Sequence, residues 1–405
     1  MSLSLQTLPG IEVTEAVNVQ PFTIATSPTV SALLATNAPV ALGVSGGKDS
    51  SAMSLAVTTY LDEIGHSGPR ILIHSDLGRV EWRESLPWCQ KLAEHLGLEL
   101  VVVRRAAGDL LDRWKVRWTN NVARYANLET VCLVLPWSTP GMLFCRSELK
   151  AAIICRELIQ RYPGQEILSP TGIRREESTT RAAAPISAPQ PRLSSKTHQT
   201  GGQDWHPIAD WTLSEVLAYH QLRQFPLHPG YQRGMTRISC AFCVMGSAGD
   251  LAVSASCPDN QEVYREQVDL EILSSFAFQS GKWLGDVAPQ LLSEQQQRGL
   301  AEAKQRARLR EAAEARVPKH LKYSKGWPTV MPTLAEARLL AEIRCTVANI
   351  LELTINYRDA ESVLERYAQL MALQRAKKQS QQITAPTLSA TPHSLNLWQE
   401  SEVVA

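Results

Sequence analysis

Ser45, Gly46, Gly47, Lys48, Asp49 and Ser50 stand in a row, and their types suit the holding of phosphate oxygens. Glycines leave backbone amides bare, Lys48 adds a point charge, and Ser45, Ser50 and Ser51 add hydroxyl donors. Asp49 is the odd acid of the row, better suited to a metal ion than to a phosphate. A second set lies downstream: Gly172, Arg174, Arg175, Glu177, Ser178 and Arg181. Guanidiniums so grouped form a bidentate clamp for phosphate or sulfate oxygens. A third set is Cys240 and Cys243, spaced as Cys-x-x-Cys, with Cys145 before them and Cys257 after. Thiolates in such a pattern hold zinc or an iron–sulfur centre, and thiolate chemistry alone allows either metal.

The elements that must position these residues can be read from the apolar pattern. Val40 to Val44 is short enough for a buried strand, and the glycines end it in a turn that only small residues tolerate. Ala52, Met53, Ala56, Val57, Tyr60, Leu61 and Ile64 then recur at helical spacing, so the turn sits at a helix N-terminus with unpaired amides. Arg70 to Asp76 and Glu99 to Arg105 read as further strands, with a helix over Glu81 to Leu96 between them. A helix over Cys145 to Tyr162 precedes a strand over Glu166 to Gly172, which delivers the arginines. Strands alternating with helices predict an α/β fold with a parallel sheet. Ligands of such sheets sit at the carboxyl ends of the strands, which is where Ser45 to Lys48 fall, together with Asp76, Gly78 and Glu81.

Other stretches serve the scaffold. Asp109 to Tyr125 mixes Arg113, Lys115, Arg117 and Arg124 with Trp114 and Trp118; base stacking is one use of such a segment, and a solvated helix with buried Trp faces is the favoured one. Residues 182–204, rich in Pro, Gly, Ser and Thr, read as a long mobile loop. Thr212 and Glu215 form a capping box that starts a helix to about Arg223. Cys89, Cys132, Cys155 and Cys345 lie in apolar surroundings and read as core.

The row at Ser45 is not the Walker loop, which places four residues between its first glycine and the Gly-Lys pair. Ser-Gly-Gly-Lys-Asp-Ser resembles instead the PP-loop of the ATP pyrophosphatase superfamily. Cys-x-x-x-Leu-Lys from Cys145 and Gly-Ile-Arg-x-x-Glu-Ser-x-x-Arg from Gly172 are similar to the pattern of phosphoadenosine phosphosulfate reductases. The resemblance implies a PP-loop domain of the adenine nucleotide alpha hydrolase-like kind. It implies catalytic roles for Lys48, Asp49, Arg174 and Arg181, and nucleotide contacts from Ser45, Gly46, Gly47, Lys48, Asp49, Ser50, Asp76, Gly172, Glu177 and Ser178. It further implies a 4Fe-4S cluster on Cys145, Cys240, Cys243 and Cys257, since the similar reductases and DNA phosphorothioation sulfurtransferases hold one; zinc is the alternative. The thirteen residues between Cys243 and Cys257 are a longer spacing than expected, which leaves a three-cysteine site open.

The chain of 405 residues is 44% hydrophobic, enough for a sizeable core and two or three domains. The expected division is a loosely ordered lead-in over 1–37, a reductase-like α/β domain over 38–300, a helical region over 301–378 and a disordered tail over 379–405. The net charge of +1 selects no partner. No apolar run approaches the ~20 residues of a membrane span, and eight cysteines without a secretion signal favour metal or redox chemistry, so a cytoplasmic protein is expected. Eight Lys or Arg over Lys304 to Lys325, against Glu311 and Glu314, could meet nucleic-acid phosphates or simply be a solvated helix.

Three functions compete. One is an enzyme that uses Mg-ATP to adenylate an acceptor, with pyrophosphate release, in sulfur transfer; the acceptor would be DNA or tRNA and a second protein would donate sulfur. Another is a sulfonucleotide reductase, which carries a nucleophilic cysteine in a mobile Glu-Cys-Gly tail; here the late Cys345 lies in AEIRCTVANI, without glycine. The third is a non-catalytic nucleotide-binding module.

Overall fold

The computed structural model describes residues 22–383. Within them the chain divides into two compact units. The first holds the described residues up to Leu110 together with Leu143–Tyr264, and the second holds Leu111–Met142 with the described residues from Arg265 onward. Residues 111–142 and 265–300, expected within the α/β domain, fall in the second unit.

The first unit is built on a six-stranded sheet in the order β3-β2-β1-β4-β6-β5. Its strands are β1 (Val40–Val44), β2 (Arg70–Asp76), β3 (Glu99–Arg104), β4 (Glu166–Pro170), β5 (Ser187–Pro189) and β6 (Gly201–Trp205). All pairings are parallel except β5 with β6. Alternation along β1 explains the layering. Val40, Leu42 and Val44 join one core with helices α1 (Pro28–Ala35), α2 (Lys48–Glu63) and α3 (Ser85–Leu96). Ala41 faces the other core, where Cys155 and Leu158 of the helix Ala152–Arg161 pack on Ile71, Ile73 and Ile167. The chain runs outward from β1 to β2 and β3 and returns beyond β1 as β4, so the strand order reverses between β1 and β4. Such a reversal opens a crevice at the carboxyl ends of the two strands.

Two sequence expectations are corrected. Part of the lead-in is ordered: Ser27 accepts from the Val30 N–H, Pro28 fixes the first turn, and Val30 and Leu34 bury one short stripe. Two apolar positions four apart are too few to register as a sustained period. Residues 182–204 are not a free loop, since they contain β5 and β6. The glycines that suggested a loop are there for close packing: a Cβ on Gly202 would meet the Ile167 carbonyl at 2.5 Å. Pro189 sits on the edge strand, where no ladder donor is required of it.

In the second unit, α4 (Leu110–Ala126, all but its first residue) buries Trp114, Trp118 and Tyr125 and exposes its charged face, as the favoured reading expects. The helices Glu294–Glu314, Leu334–Leu351 and Ala360–Ile383 follow. Arg344 is fully buried and donates to the carbonyls of Tyr125 and Asn356 at 2.7 and 2.9 Å. The expected tail beyond residue 383 lies outside the described residues.

Candidate functional site

β1 ends at Val44, and Gly46 turns the chain with φ +75°, a left-handed conformation that glycine adopts without strain. A Cβ at Gly46 would press on His228 and on the backbone of Ser85, both at 3.3 Å, so the position is closed to side chains twice over. Gly47 is the N-cap of α2 and offers no side chain to the first turn. Among the described residues the amides of Gly46 and Gly47 take no hydrogen bond. Bare amides at the positive end of a sixteen-residue helix are an anion site. Ser50 Oγ ties the turn, donating to the Gly47 carbonyl at 2.9 Å and accepting from the Ser45 N–H at 3.3 Å.

Lys48 is buried, and its backbone is gripped from both sides. Its N–H donates to Tyr231 Oη at 3.0 Å, and its carbonyl lies 2.8 Å from His220 Nε2. Its ammonium is 3.0 Å from Asp49 Oδ2 and 5.4 Å from the centroid of the Tyr231 ring. Asp49 accepts from Arg174 Nε at 2.7 Å through its other oxygen. Burial alone would raise the Asp49 pKa, but the charges of Lys48 and Arg174 outweigh it and hold the carboxyl below its ordinary range. Both Asp49 oxygens are therefore engaged by cations, and the residue is arranged as an anchor for them rather than as an open metal ligand.

β4 delivers the arginine set. Gly172 passes directly over the first turn of α2: a Cβ there would lie 2.6 Å from the Asp49 carbonyl carbon and 2.8 Å from Ser50 N. Arg174 is buried, and besides Asp49 it reaches Glu176 and, at 3.3 Å, the Trp211 carbonyl. Its own N–H donates to Glu177 Oε2 at 3.0 Å. Arg181 pairs with Glu177, Arg175 pairs with Asp210, and Ser178 caps the short helix Thr179–Ala182. The expected clamp is thus closed on carboxylates. Its pairs differ in depth: Arg174 and Asp49 are 5% and 18% exposed, Arg181 and Glu177 33% and 27%. The shallower pair is the weakly held one, because exposed ion pairs contribute only ~0–1 kcal/mol.

Asp76, at the end of β2, accepts from the Gly78 N–H at 2.7 Å and from Arg104 Nε at 3.0 Å. Two neighbours escaped the sequence reading. His74, buried on β2, sets Nδ1 3.0 Å from the Val44 carbonyl and Nε2 3.1 Å from Glu81 Oε2. Burial lowers its pKa, but the bonds to Cys89 and Glu81 outweigh that and raise it to about 10. Tyr231 is the other, fully buried with its hydroxyl on the Lys48 N–H, a contact that no local pattern in the sequence signals.

The cysteines divide. Cys240 is joined to Glu81 by a backbone bridge, and its thiol pKa is raised, first by burial and then by Cys243, with Glu81 and Cys145 adding to the effect. Cys145 lies in the short helix Phe144–Arg146, followed by a π-turn over Ser147–Ala151 that carries Lys150, and Lys150 opposes the rise at Cys240. Cys257 is buried beside Arg233, on whose charge it acts. No group of three or more His, Cys, Asp or Glu side chains is gathered tightly enough for a metal ion among the described residues. Cys145 and Cys243 both act on the Cys240 thiol, and Cys257 acts on Arg233.

The phosphoadenosine phosphosulfate reductase domain family matches residues 39–245, which span β1 to the Cys-x-x-Cys pair. Among known proteins, the chain is 25% identical over 250 residues to the uncharacterized 37.8 kDa protein in the gpa 5'region of Escherichia phage 186, covering 52% of this chain and 68% of that one. Partial likenesses to solved structures accompany the match. The phosphoadenylyl-sulfate reductase of Candida auris is 14% identical with a TM-score of 0.33, over 54% of this chain and 97% of that one. The U34-tRNA thiolase NcsA of Methanococcus maripaludis, solved with its [4Fe-4S] cluster, is 17% identical with a TM-score of 0.33, over 58% and 70%. The FMN adenylyltransferase of Candida glabrata, in complex with FAD and pyrophosphate, is 12% identical with a TM-score of 0.32, and the chain covers 55% of its length.

Proposed function

The chain belongs to the phosphoadenosine phosphosulfate reductase family, and on that premise we propose that it is a PP-loop enzyme that binds ATP, delivered with Mg2+, and uses it in sulfur transfer. The observation that carries this is the convergence of Lys48, Asp49 and Arg174 beneath Gly172 at the carboxyl ends of β1 and β4. An acceptor oxygen attacks the alpha-phosphorus, the bond to pyrophosphate breaks, and a sulfur nucleophile then displaces AMP from the activated acceptor. Lys48 and the amides of Gly46 and Gly47 neutralise charge on the departing pyrophosphate. Ser45, Ser50, Asp76, Gly172, Glu177 and Ser178 border the nucleotide. Arg181 trades Glu177 for an incoming anion, whereas Arg174 stays buried and positions Asp49 and the loop.

The acceptor in this reading is a nucleic acid, DNA or tRNA, the sulfur comes from a separate donor protein, and the setting is the cytoplasm. Cysteine thiolates would supply the soft ligands of a metal cluster, and among the described residues three or more such donors are not gathered for one. Family membership also favours a second reading, reduction of a sulfonucleotide. Against it, Cys345 lies within the helix Leu334–Leu351 with Sγ 3.6 Å from the Arg358 carbonyl, not in a free tail. Anaerobic incubation with alpha-labelled ATP, or with phosphoadenosine phosphosulfate and a thiol, decides between them. Labelled AMP supports the adenylating enzyme; sulfite release without ATP turnover would replace it with the reductase.

A further inference from the structure

The basic run Lys304 to Lys325 is largely spent inside the second unit. Lys304 pairs with Asp286, Arg306 donates to the Ile272 carbonyl, and Arg316 pairs with Glu342. Arg310 is buried against Glu311 and the face of Phe276, 3.5 Å from its ring centroid. Its far end closes in a tight turn. Ser324 and Trp327 exchange both backbone hydrogen bonds, at 2.9 and 3.0 Å, across a two-residue turn in which Lys325 and Gly326 both have positive φ, +49° and +77°. A non-glycine residue seldom holds a left-handed conformation, and here the turn places Lys325 at an exposed tip.

That tip borders a groove of about 430 Å³, lined by Ser324, Lys325, Trp327, Gln374, Lys377 and Lys378 among others. Lys377 Nζ lies 5.9 Å from the Trp327 ring centroid. Arg124 of α4 lies behind the turn, its Nη2 3.5 Å from where a Cβ on Gly326 would sit and donating to the Glu129 carbonyl at 3.3 Å. None of the described residues lining the groove is acidic. Cations from two separate segments, the turn and the helix Ala360–Ile383, therefore line one groove with a partly exposed aromatic ring. The volume admits a nucleotide unit and is far too small for a duplex.

We propose that this groove binds a single-stranded nucleic acid, with a base stacked on Trp327 and backbone phosphates on Lys325, Lys377 and Lys378. Lysines alone would take any polyanion; the ring between them selects a strand whose bases are unpaired. Gln374 and Ser324 add hydrogen-bonding groups at its edge. The assignment deepens the proposed function by giving its nucleic-acid partner a binding surface, and it stands on residues that the nucleotide crevice does not use.

The test is fluorescence anisotropy of a labelled oligonucleotide of about a dozen nucleotides, single-stranded or duplex, titrated with the full chain between about 50 and 200 mM salt. Replacing Lys325, Lys377 and Lys378 together by Ala is expected to weaken strand binding and to flatten its logarithmic salt slope by about 2, near 0.7 per lost phosphate contact. Trp327→Leu is expected to weaken binding about tenfold at an unchanged slope, and Trp327→Phe, which keeps a ring, to retain most of it. Wild-type affinity in the triple variant overturns the groove. So does a duplex bound as tightly as the strand with Trp327→Leu silent, the behaviour of an unselective anion patch. ATP binding is followed on the same preparations: protein that binds ATP but no strand refutes the groove alone, and protein that binds strand but no ATP refutes the nucleotide reading alone.

Discussion

Arg174 donates from Nε to Asp49 Oδ1 at 2.7 Å, joining the loop after β4 to the first turn of α2. Lys48 holds the other Asp49 oxygen, so one carboxylate fixes two cations that sequence alone would have aimed at phosphate. Removing one member of a buried pair strands the other charge. Arg174→Ala should destabilise the first unit by about 3 kcal/mol, measured by denaturant unfolding, and adding Asp49→Asn should recover part of the loss. Equal stability of Arg174→Ala and wild type would contradict the anchoring role.

Arg181 behaves differently because its pair with Glu177 is partly exposed. Arg181→Ala should change stability by less than about 1 kcal/mol while weakening nucleotide binding about tenfold. A large stability loss with unchanged binding would reverse the roles given to the two arginines.

Gly172 has no room for a methyl group, since a Cβ would lie 2.6 Å from the backbone of Asp49. Gly172→Ala must push the β4 loop off α2, at about 1–3 kcal/mol, and nucleotide affinity should fall with it. Normal melting together with normal ATP affinity would show that the approach is looser than described.

His74 gives a pH signature. Its folded pKa is raised to about 10, above the ordinary value of 6.5, so the stabilisation from its charged form is fully present below about pH 6.5 and fades as pH rises toward 10. Unfolding free energies of wild type and His74→Gln should therefore differ by a few kcal/mol near pH 6 and converge near pH 10. A gap that widens with pH would mean that the imidazole is neutral in the folded protein.

Cys145 and Cys243 act on the Cys240 thiol, whereas Cys257 is buried beside Arg233. Iron or zinc in anaerobically purified protein should then respond to Cys240→Ser or Cys243→Ser and not to Cys257→Ser. Metal lost with Cys257→Ser would restore the four-cysteine set.

Much of the scaffold was legible because local pattern and tertiary role agree. The run Val40–Val44, the glycines after it and the apolar stripe of α2 each demand the same strand, turn and helix. β6 was hidden because Gly201 and Gly202 read as loop residues, and their reason for being there, contact with β4, is not local. The partners of the arginines were hidden for the same cause. Residue type shows that Arg174 carries charge; only the fold shows that Asp49, distant in sequence, neutralises it. Tyr231 and His220 grip the Lys48 backbone through contacts that leave no periodic or compositional trace. The basic run from Lys304 left both readings open, since composition counts charges and cannot show that Arg310 and Arg316 already have partners.

Calorimetric titration of Mg-ATP into wild-type protein and Lys48→Ala tests the nucleotide crevice most directly. Loss of a charged contact to phosphate should weaken binding at least tenfold at a temperature where both proteins are folded, although the melting temperature of the variant should fall because Asp49 loses one of its two buried cations. Equal affinity in the two proteins would place ATP elsewhere and remove Lys48, and the loop that carries it, from the site.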